Sequence, residues 1–186
     1  MKTALFVIDY QKAIFDAPPA YQAEIVLERI RGLIEQARAG ATPVIYIQHD
    51  EAGSSWEAGG PGWAFPASIA PRPQDYVSPK SDCDAFLNGA LERHLREQGI
   101  ERAVVCGFAT EFCVDTNVRR LASLGLATLV VSDAHTTRDR PHMKAAQIIE
   151  HHNWVWSGFS SPGAALALCA AEEAGNLLLH NNIAIA

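Results

Sequence analysis

Of the four cysteines in this 186-residue chain, Cys113 is the one placed to act as a nucleophile. It closes the segment Gly107-Phe108-Ala109-Thr110-Glu111-Phe112-Cys113. Thr110 reads as a helix N-cap, which puts Cys113 at the third helical position, in the first turn. A helix N-terminus offers unpaired N–H groups and a partial positive charge, which lower a thiol's pKa and favour the thiolate. The same N–H groups can receive a developing oxyanion. A lysine ammonium beside the thiol would lower its pKa further, and a carboxylate could accept its proton. Asp9 and Lys80 each follow a short apolar run and are the candidates for those two roles. The alternative is that Cys113 is an inert, buried small hydrophobe, as most free cysteines are. Spacing alone does not choose between the two.

Such a site needs elements that bring distant residues to one rim. Four nearly continuous apolar runs, Ala4–Ile8, Val44–Ile47, Ala103–Cys106 and Thr128–Val131, have the pattern of parallel strands covered on both faces. Shorter strand candidates are Tyr76–Val77 and Trp154–Trp156. Between them run helical stripes: Val26, Ile30, Leu33, Ile34 and Ala37, ended by Gly40; Leu87, Leu91 and Leu95, ended by Gly99; and Val114, Val118, Leu121 and Ala122, ended by Gly125. A fourth stripe covers Ala145, Ile148, Ile149 and His152, and Ser161-Pro162 reads as the start of a last helix through about Glu173. The alternation predicts an α/β fold: a doubly wound, mostly parallel six-stranded sheet with helices on both faces. The chain is expected to form a single domain over residues 1–186, with an apolar tail at 177–186 of unassigned packing.

In such a sheet, ligands bind outside the carboxyl ends of the strands. The residues at those ends are Asp9, Gln48-His49-Asp50, Lys80, Gly107 to Cys113 and Ser132 to His135. The long Gly/Pro/Ser-rich segment from Asp50 to Pro73, with Trp56, Trp63 and Phe65 set into it, is the expected cover of the pocket.

Composition removes other classes. Fifteen Lys+Arg against 21 Asp+Glu give a net charge of −6, without the basic face that nucleic acid or an anionic membrane requires. The first apolar run is too short for a signal-peptide core or a membrane span, and the cysteines show no CxxC spacing. A cytoplasmic protein acting on a small molecule is the expectation, with no nucleic-acid or membrane partner.

These residues resemble the isochorismatase-like cysteine hydrolases, a family that includes nicotinamidases, carbamoylsarcosine amidases and streptothricin hydrolases. The resemblance rests on Leu5-Phe6-Val7-Ile8-Asp9-Tyr10-Gln11, on Gln48-His49-Asp50, on Lys80 followed by Asp84-Ala85-Phe86, and on Gly107 through Val114. It spans roughly residues 2 to 165 in the expected order. It implies a catalytic triad of Asp9, Lys80 and Cys113. It also implies a cis peptide between Phe108 and Ala109, and an oxyanion hole formed by the backbone amides of Ala109 and Cys113. His49, Trp63, Phe65 and Phe112 are the expected substrate-facing residues. The implied activity is cleavage of a C–N bond of a small amide through a thioester on Cys113, in a homo-oligomer.

The departures from the family are informative. The stretch His49-Asp50-Glu51 replaces the nicotinamidase Asp-x-His, and residues 53 to 73 contain no histidine, so no metal and no cofactor are expected. Glu111 and Asp133-Ala134-His135-Thr136-Thr137 look closest to the streptothricin-hydrolase branch. Two rival functions stand beside the amidohydrolase: a vinyl-ether hydrolase of the isochorismatase type, which needs no thiol, and a non-catalytic small-molecule-binding module.

Overall fold

The apolar runs do form parallel strands. In the computed structural model, which describes residues 1–160 and 165–180, they are β1 (Thr3–Ile8), β2 (Val44–His49), β3 (Tyr76–Lys80), β4 (Arg102–Phe108), β5 (Ala127–Thr136) and β6 (Leu166–Cys169). All pair in parallel in one six-stranded sheet of order β3-β2-β1-β4-β5-β6. Side chains alternate between two apolar layers. Leu5 and Val7 of β1 face the layer filled by α1 (Ala23–Ala39) and α5 (Ala171–His180). Ala4, Phe6 and Ile8 face the layer filled by α2 (Ala90–Gln98), α3 (Asp115–Ser123) and α4 (Ala145–Ser157). Burial on both faces is why β1 reads as a continuous apolar run.

The stripe on α1 places Val26, Ile30, Leu33, Ile34 and Ala37 in the core, each large member contributing about 1.5–3 kcal/mol. Gly40 ends this helix. A Cβ there would run into the carbonyl oxygens of Leu178 and Leu179, so the glycine lets α5 lie across the end of α1. Leu177 and Leu178, the start of the apolar tail, dock in the same core layer. Residues 181–186 lie outside the described residues.

Three expectations are corrected. Trp154–Trp156 is not a strand but the last part of α4, where Trp156 is fully buried and Trp154 is 73% exposed. A helix separates neighbours i and i+2 by about 200°, so the same alternation serves a half-buried helix end. The sixth strand is instead Leu166–Cys169, paired to β5. The last helix begins at Ala171, and the Ser161-Pro162 start lies outside the described residues. Leu87 is 67% exposed and precedes α2, which starts at Ala90 after Gly89 takes φ +72°.

The chain runs outward from β1 to β3, then returns beside β1 as β4. The strand order therefore reverses between β1 and β4, and their carboxyl ends open the crevice where this fold binds ligands.

Candidate active site

Asp9 is the first residue after β1. Its backbone sits at φ +46°, a left-handed conformation that Asp tolerates better than most residues, and its N–H donates to the Ile47 carbonyl at 3.0 Å. Lys80 ends β3 in register with His49. Cys113 lies in a π-helical turn over Thr110–Val114, in which the Val114 N–H reaches back to the Ala109 carbonyl at 3.1 Å. Such wide turns occur often at functional sites. The Phe108–Ala109 peptide bond that precedes the turn is cis.

Three supports hold this arrangement. Gly107 takes φ +133°, where a Cβ would collide with the Ile8 carbonyl; its absence lets β4 approach the residue before Asp9. Asn117, buried on α3, accepts from the Ala85 N–H at 3.0 Å and donates to the Cys83 and Cys113 carbonyls at 2.8 and 2.7 Å. It thereby ties the segment after Lys80 to the Cys113 turn. Thr110 does not cap the helix, as the sequence suggested; its hydroxyl pairs with His135 Nδ1 at 2.9 Å. His135 Nε2 meets Asn153 Oδ1 at 3.0 Å, and the Asn153 amide donates to the Ser132 carbonyl at 2.9 Å. That chain fixes the proton on Nε2, so Nδ1 accepts from Thr110.

These supports converge on the Lys80 ammonium. It lies 2.6 Å from Asp9 Oδ2, 3.2 Å from Cys113 Sγ and 3.1 Å from His49 Nδ1. The Lys80 and Asp9 side chains are each 3% exposed. Burial pushes the Asp9 carboxyl above the ordinary carboxylate range, and Lys80 recovers only part of that cost. Burial draws the lysine down, but Asp9 and Cys113 outweigh it and hold Lys80 above its usual value, as an ammonium. His49 is lowered by burial and by Lys80, so its neutral ring accepts from the ammonium.

The thiol departs from expectation. Burial first, and the Asp9 carboxylate second, push Cys113 up rather than down, with Lys80 opposing. The resting site therefore holds a neutral thiol beside a carboxylate. Because Asp9 is itself raised, it is a stronger base than an ordinary carboxylate and suited to take the thiol proton when substrate arrives. Asp9, His49 and Cys113 also have the donor types and spacing to ligate a cation, with ligand atoms within 4.8 Å of one another. The Lys80 ammonium is within hydrogen-bond distance of all three, so a metal would have to displace it.

The three residues open onto a cavity of about 430 Å³, the size for a small molecule. Trp56 stacks on Phe108 with ring centroids 5.8 Å apart and meets His49 edge-on at 5.9 Å, forming an apolar wall. Phe112, 48% exposed, stands under the Arg140 guanidinium, 5.0 Å from the ring centroid. Volume alone would not select this place. A depression of about 580 Å³ lies at the opposite, amino ends of β4 and β5, but no cysteine, serine or histidine lines it.

Residues 3–156 match the family model of the Isochorismatase domain. The chain belongs to the isochorismatase-like cysteine hydrolase family. It is 34% identical over 140 residues to a streptothricin hydrolase from Streptomyces noursei, a match covering 74% of this chain and 51% of that protein. It is 28% identical over 172 residues to a ureidoacrylate amidohydrolase from Azorhizobium caulinodans, covering 72% of this chain and 75% of that one. A crystal structure of an isochorismatase-family hydrolase from Chromobacterium violaceum superposes with a TM-score of 0.84 at 30% identity, covering 98% of this chain and 95% of the other. The chain spans about half the length of the streptothricin hydrolases it matches.

Within the isochorismatase-like frame, Asp9, Lys80 and Cys113 come together as described, and His49, Phe112 and Ala109 line the cavity. Trp63 and Phe65 do not line it. Phe65 is 6% exposed and packs edge-on against Tyr46 at 5.0 Å, in the core. The Trp63 carbonyl is pinned by Gln11 Nε2 at 2.7 Å and Gln48 Nε2 at 3.1 Å, which draws that part of the loop under the rim and leaves Trp56 as the covering aromatic. Cys83, Glu51, Arg138 and Arg140 also line the cavity and were not anticipated. The two arginines escaped notice because β5 ends five residues later than its apolar run suggests. A bulge lets a two-residue advance along β4, from Val105 to Gly107, match a five-residue advance along β5, from Val130 to His135. The rim after β5 is therefore Thr137–Arg140, not Ser132–His135.

Proposed function

We propose that this chain is a cysteine-dependent hydrolase that cleaves a C–N bond of a small amide through a thioester on Cys113. The observation that carries the reading is the buried ammonium of Lys80 touching both Asp9 and Cys113, with the thiol held protonated beside a carboxylate. The Cys113 Sγ proton passes to Asp9 as sulfur attacks the carbonyl carbon, and the resulting oxyanion faces the Ala109 and Cys113 amides. Asp9 returns the proton to the leaving nitrogen, the C–N bond breaks, and a thioester remains. Water gives a proton to Asp9 and attacks the thioester, releasing the carboxylic acid; the sulfur then regains its proton from Asp9. Lys80 stays an ammonium throughout. It balances Asp9 in the resting state and the sulfur's charge during transfer.

A hydrolysis of amide type also agrees with the names of relatives, a streptothricin hydrolase and a ureidoacrylate amidohydrolase. Vinyl-ether hydrolysis, which needs no thiol, would leave the buried Lys80–Cys113 contact without a task. Among the described residues no helix is long and apolar enough to cross a membrane, and Cys83, Cys106, Cys113 and Cys169 are free. A reducing compartment such as the cytoplasm suits a site built on a free thiol. A homo-oligomer is part of the same proposal, checked by light scattering.

The test is ammonia release from a panel of small primary amides and ureido compounds. Activity in the wild type and its loss in Cys113→Ala and Asp9→Asn, both still folded by circular dichroism, is the expected result. Full turnover by Cys113→Ala would overturn the mechanism. Iodoacetamide should label Cys113 selectively once its proton is removed. Labelling no faster than at a buried thiol such as Cys106 would favour the non-catalytic module.

A further inference from the structure

His135 is a buried titratable group that the proposed mechanism does not use. It is 1% exposed and lies on the bulged continuation of β5, in register with Gly107 near the end of β4. Trp156 of α4 meets its ring edge-on, with centroids 5.2 Å apart. Nε2 is committed to Asn153 Oδ1 at 3.0 Å, and the Asn153 amide in turn to the Ser132 carbonyl at 2.9 Å. Burial keeps the ring neutral, at a pKa of about 4. Nδ1 is therefore a standing acceptor, and the fully buried Thr110 hydroxyl donates to it at 2.9 Å.

The bond matters for what it keeps the hydroxyl from doing. A threonine at the head of a helical turn ordinarily folds its hydroxyl back onto the N–H groups two and three residues on. Here those belong to Phe112 and Cys113. The Phe112 and Val114 N–H groups already donate to the Ala109 carbonyl, at 3.0 and 3.1 Å. The Cys113 N–H is thus the one that a Thr110 cap would reach. It is also one of the two amides that the mechanism proposed above aims at the oxyanion. Among the described residues Thr110 Oγ1 makes no hydrogen bond to its own turn; its partner is His135. A hydroxyl cap on the Cys113 N–H would compete with the oxyanion for the same donor.

We propose that His135 is a positioning residue of the thiol site: it holds the Thr110 hydroxyl against β5 and so keeps the Cys113 N–H uncapped for the oxyanion. The oxyanion rests on the thiol-hydrolase reading above; the placement of the hydroxyl does not, and a crystal structure reads it alone. In His135→Leu the Thr110 hydroxyl should swing back to within hydrogen-bond distance of the Cys113 N–H. With a small amide that the wild type hydrolyses, His135→Leu should lower kcat at least about tenfold and leave KM little changed. That is part of the roughly 100- to 1,000-fold that losing one oxyanion donor costs. Adding Thr110→Val removes the competing hydroxyl and should restore most of kcat, whereas a merely structural bond would leave the double variant no faster. His135→Asn, whose Oδ1 stands near the place of Nδ1, should keep the hydroxyl on β5 and most of the turnover. If His135→Leu does not fold, His135→Gln, which keeps a partner for Asn153, replaces it in every measurement. A hydroxyl that does not reach the Cys113 N–H, full turnover without His135, or a double variant as slow as the single one would each overturn the proposal. A hydroxyl that moves as expected in a protein whose wild type hydrolyses no amide would remove the hydrolase reading and leave the hold of His135 on Thr110 standing.

Discussion

Replacing Lys80 by Met keeps most of the aliphatic stem and deletes the ammonium, which makes it the sharpest test of how the site is balanced. At the 2.6 Å separation of Lys80 Nζ and Asp9 Oδ2, the attraction is about 6 kcal/mol at an effective dielectric of about 20. Stripping both ions of water costs several kcal/mol each. For Asp9 the cost exceeds the gain, because its carboxyl is raised even with Lys80 present. The intact pair therefore adds little net stability, but removing one partner leaves a buried carboxylate with no counter-ion. The expected loss is about 3–5 kcal/mol at pH 8.

The sign of the pH dependence follows. In Lys80→Met the folded pKa of Asp9 lies further above the unfolded value of about 3.9. Between those two values the native state holds a proton that the unfolded chain has lost. Stability then falls by about 1.4 kcal/mol per unit as pH rises through that window. Because the wild-type carboxyl is itself raised, the deficit grows only between its folded value and the higher one of the variant, and it should be larger at pH 8 than at pH 5. Urea unfolding followed by tryptophan fluorescence at pH 5, 6.5 and 8 measures it. Adding Asp9→Asn removes the stranded charge and should restore most of the loss at pH 8. An equal deficit at pH 5 and pH 8, or a double variant no more stable than Lys80→Met, would refute the reasoning. Turnover should drop at least about 100-fold, because a protonated Asp9 cannot act as a base.

Burial holds His135 at a pKa of about 4, well below the ordinary imidazole value of 6.5. The unfolded chain takes up that proton first, so the wild type should lose about 3 kcal/mol as pH falls from about 6.5 to 4, and His135→Phe should show a visibly shallower acid limb in the same urea titrations. Gly107→Ala should cost about 3 kcal/mol or more and slow turnover out of proportion to the folded fraction, because the new Cβ strikes the Ile8 carbonyl and displaces Asp9; calorimetry and ammonia release read the two effects separately. Asn117→Ala leaves the Ala85 N–H and the Cys83 and Cys113 carbonyls without their side-chain partner, for a loss of about 3 kcal/mol by denaturant unfolding. Asn117→Asp should not rescue it, since a carboxylate cannot donate to either carbonyl.

What could be read from the chain, and what could not, divides by the range of the interaction. Buried parallel strands require runs such as Ala4–Ile8 and Ala103–Cys106, and amphipathic helices require stripes such as Val26 to Ala37. The sheet, and the rim carrying Asp9, Lys80 and Cys113, were therefore legible locally. Trp56, Trp63 and Phe65 were not separable, because their places are decided by Gln11 and Gln48 reaching the Trp63 carbonyl across 52 and 15 residues. Arg138 and Arg140 were hidden by the bulge that prolongs β5, which is a property of the pairing rather than of either strand.

The thiol shows the same division in energetic terms. A helix N-terminus lowers a thiol's pKa by an interaction worth about 0.3–1 kcal/mol at the surface. Burial of the charged form and a neighbouring carboxylate can each outweigh that, and here they set the direction. Cys113 is therefore not a standing thiolate exposed to any passing electrophile. In the proposed mechanism its proton passes to a carboxylate that the same burial has made more basic, and the ammonium beside both compensates whichever of the two is charged. The proposed nucleophile would then form with little rearrangement of charge as a carbonyl reaches the Ala109 and Cys113 amides, the oxyanion hole of that proposal.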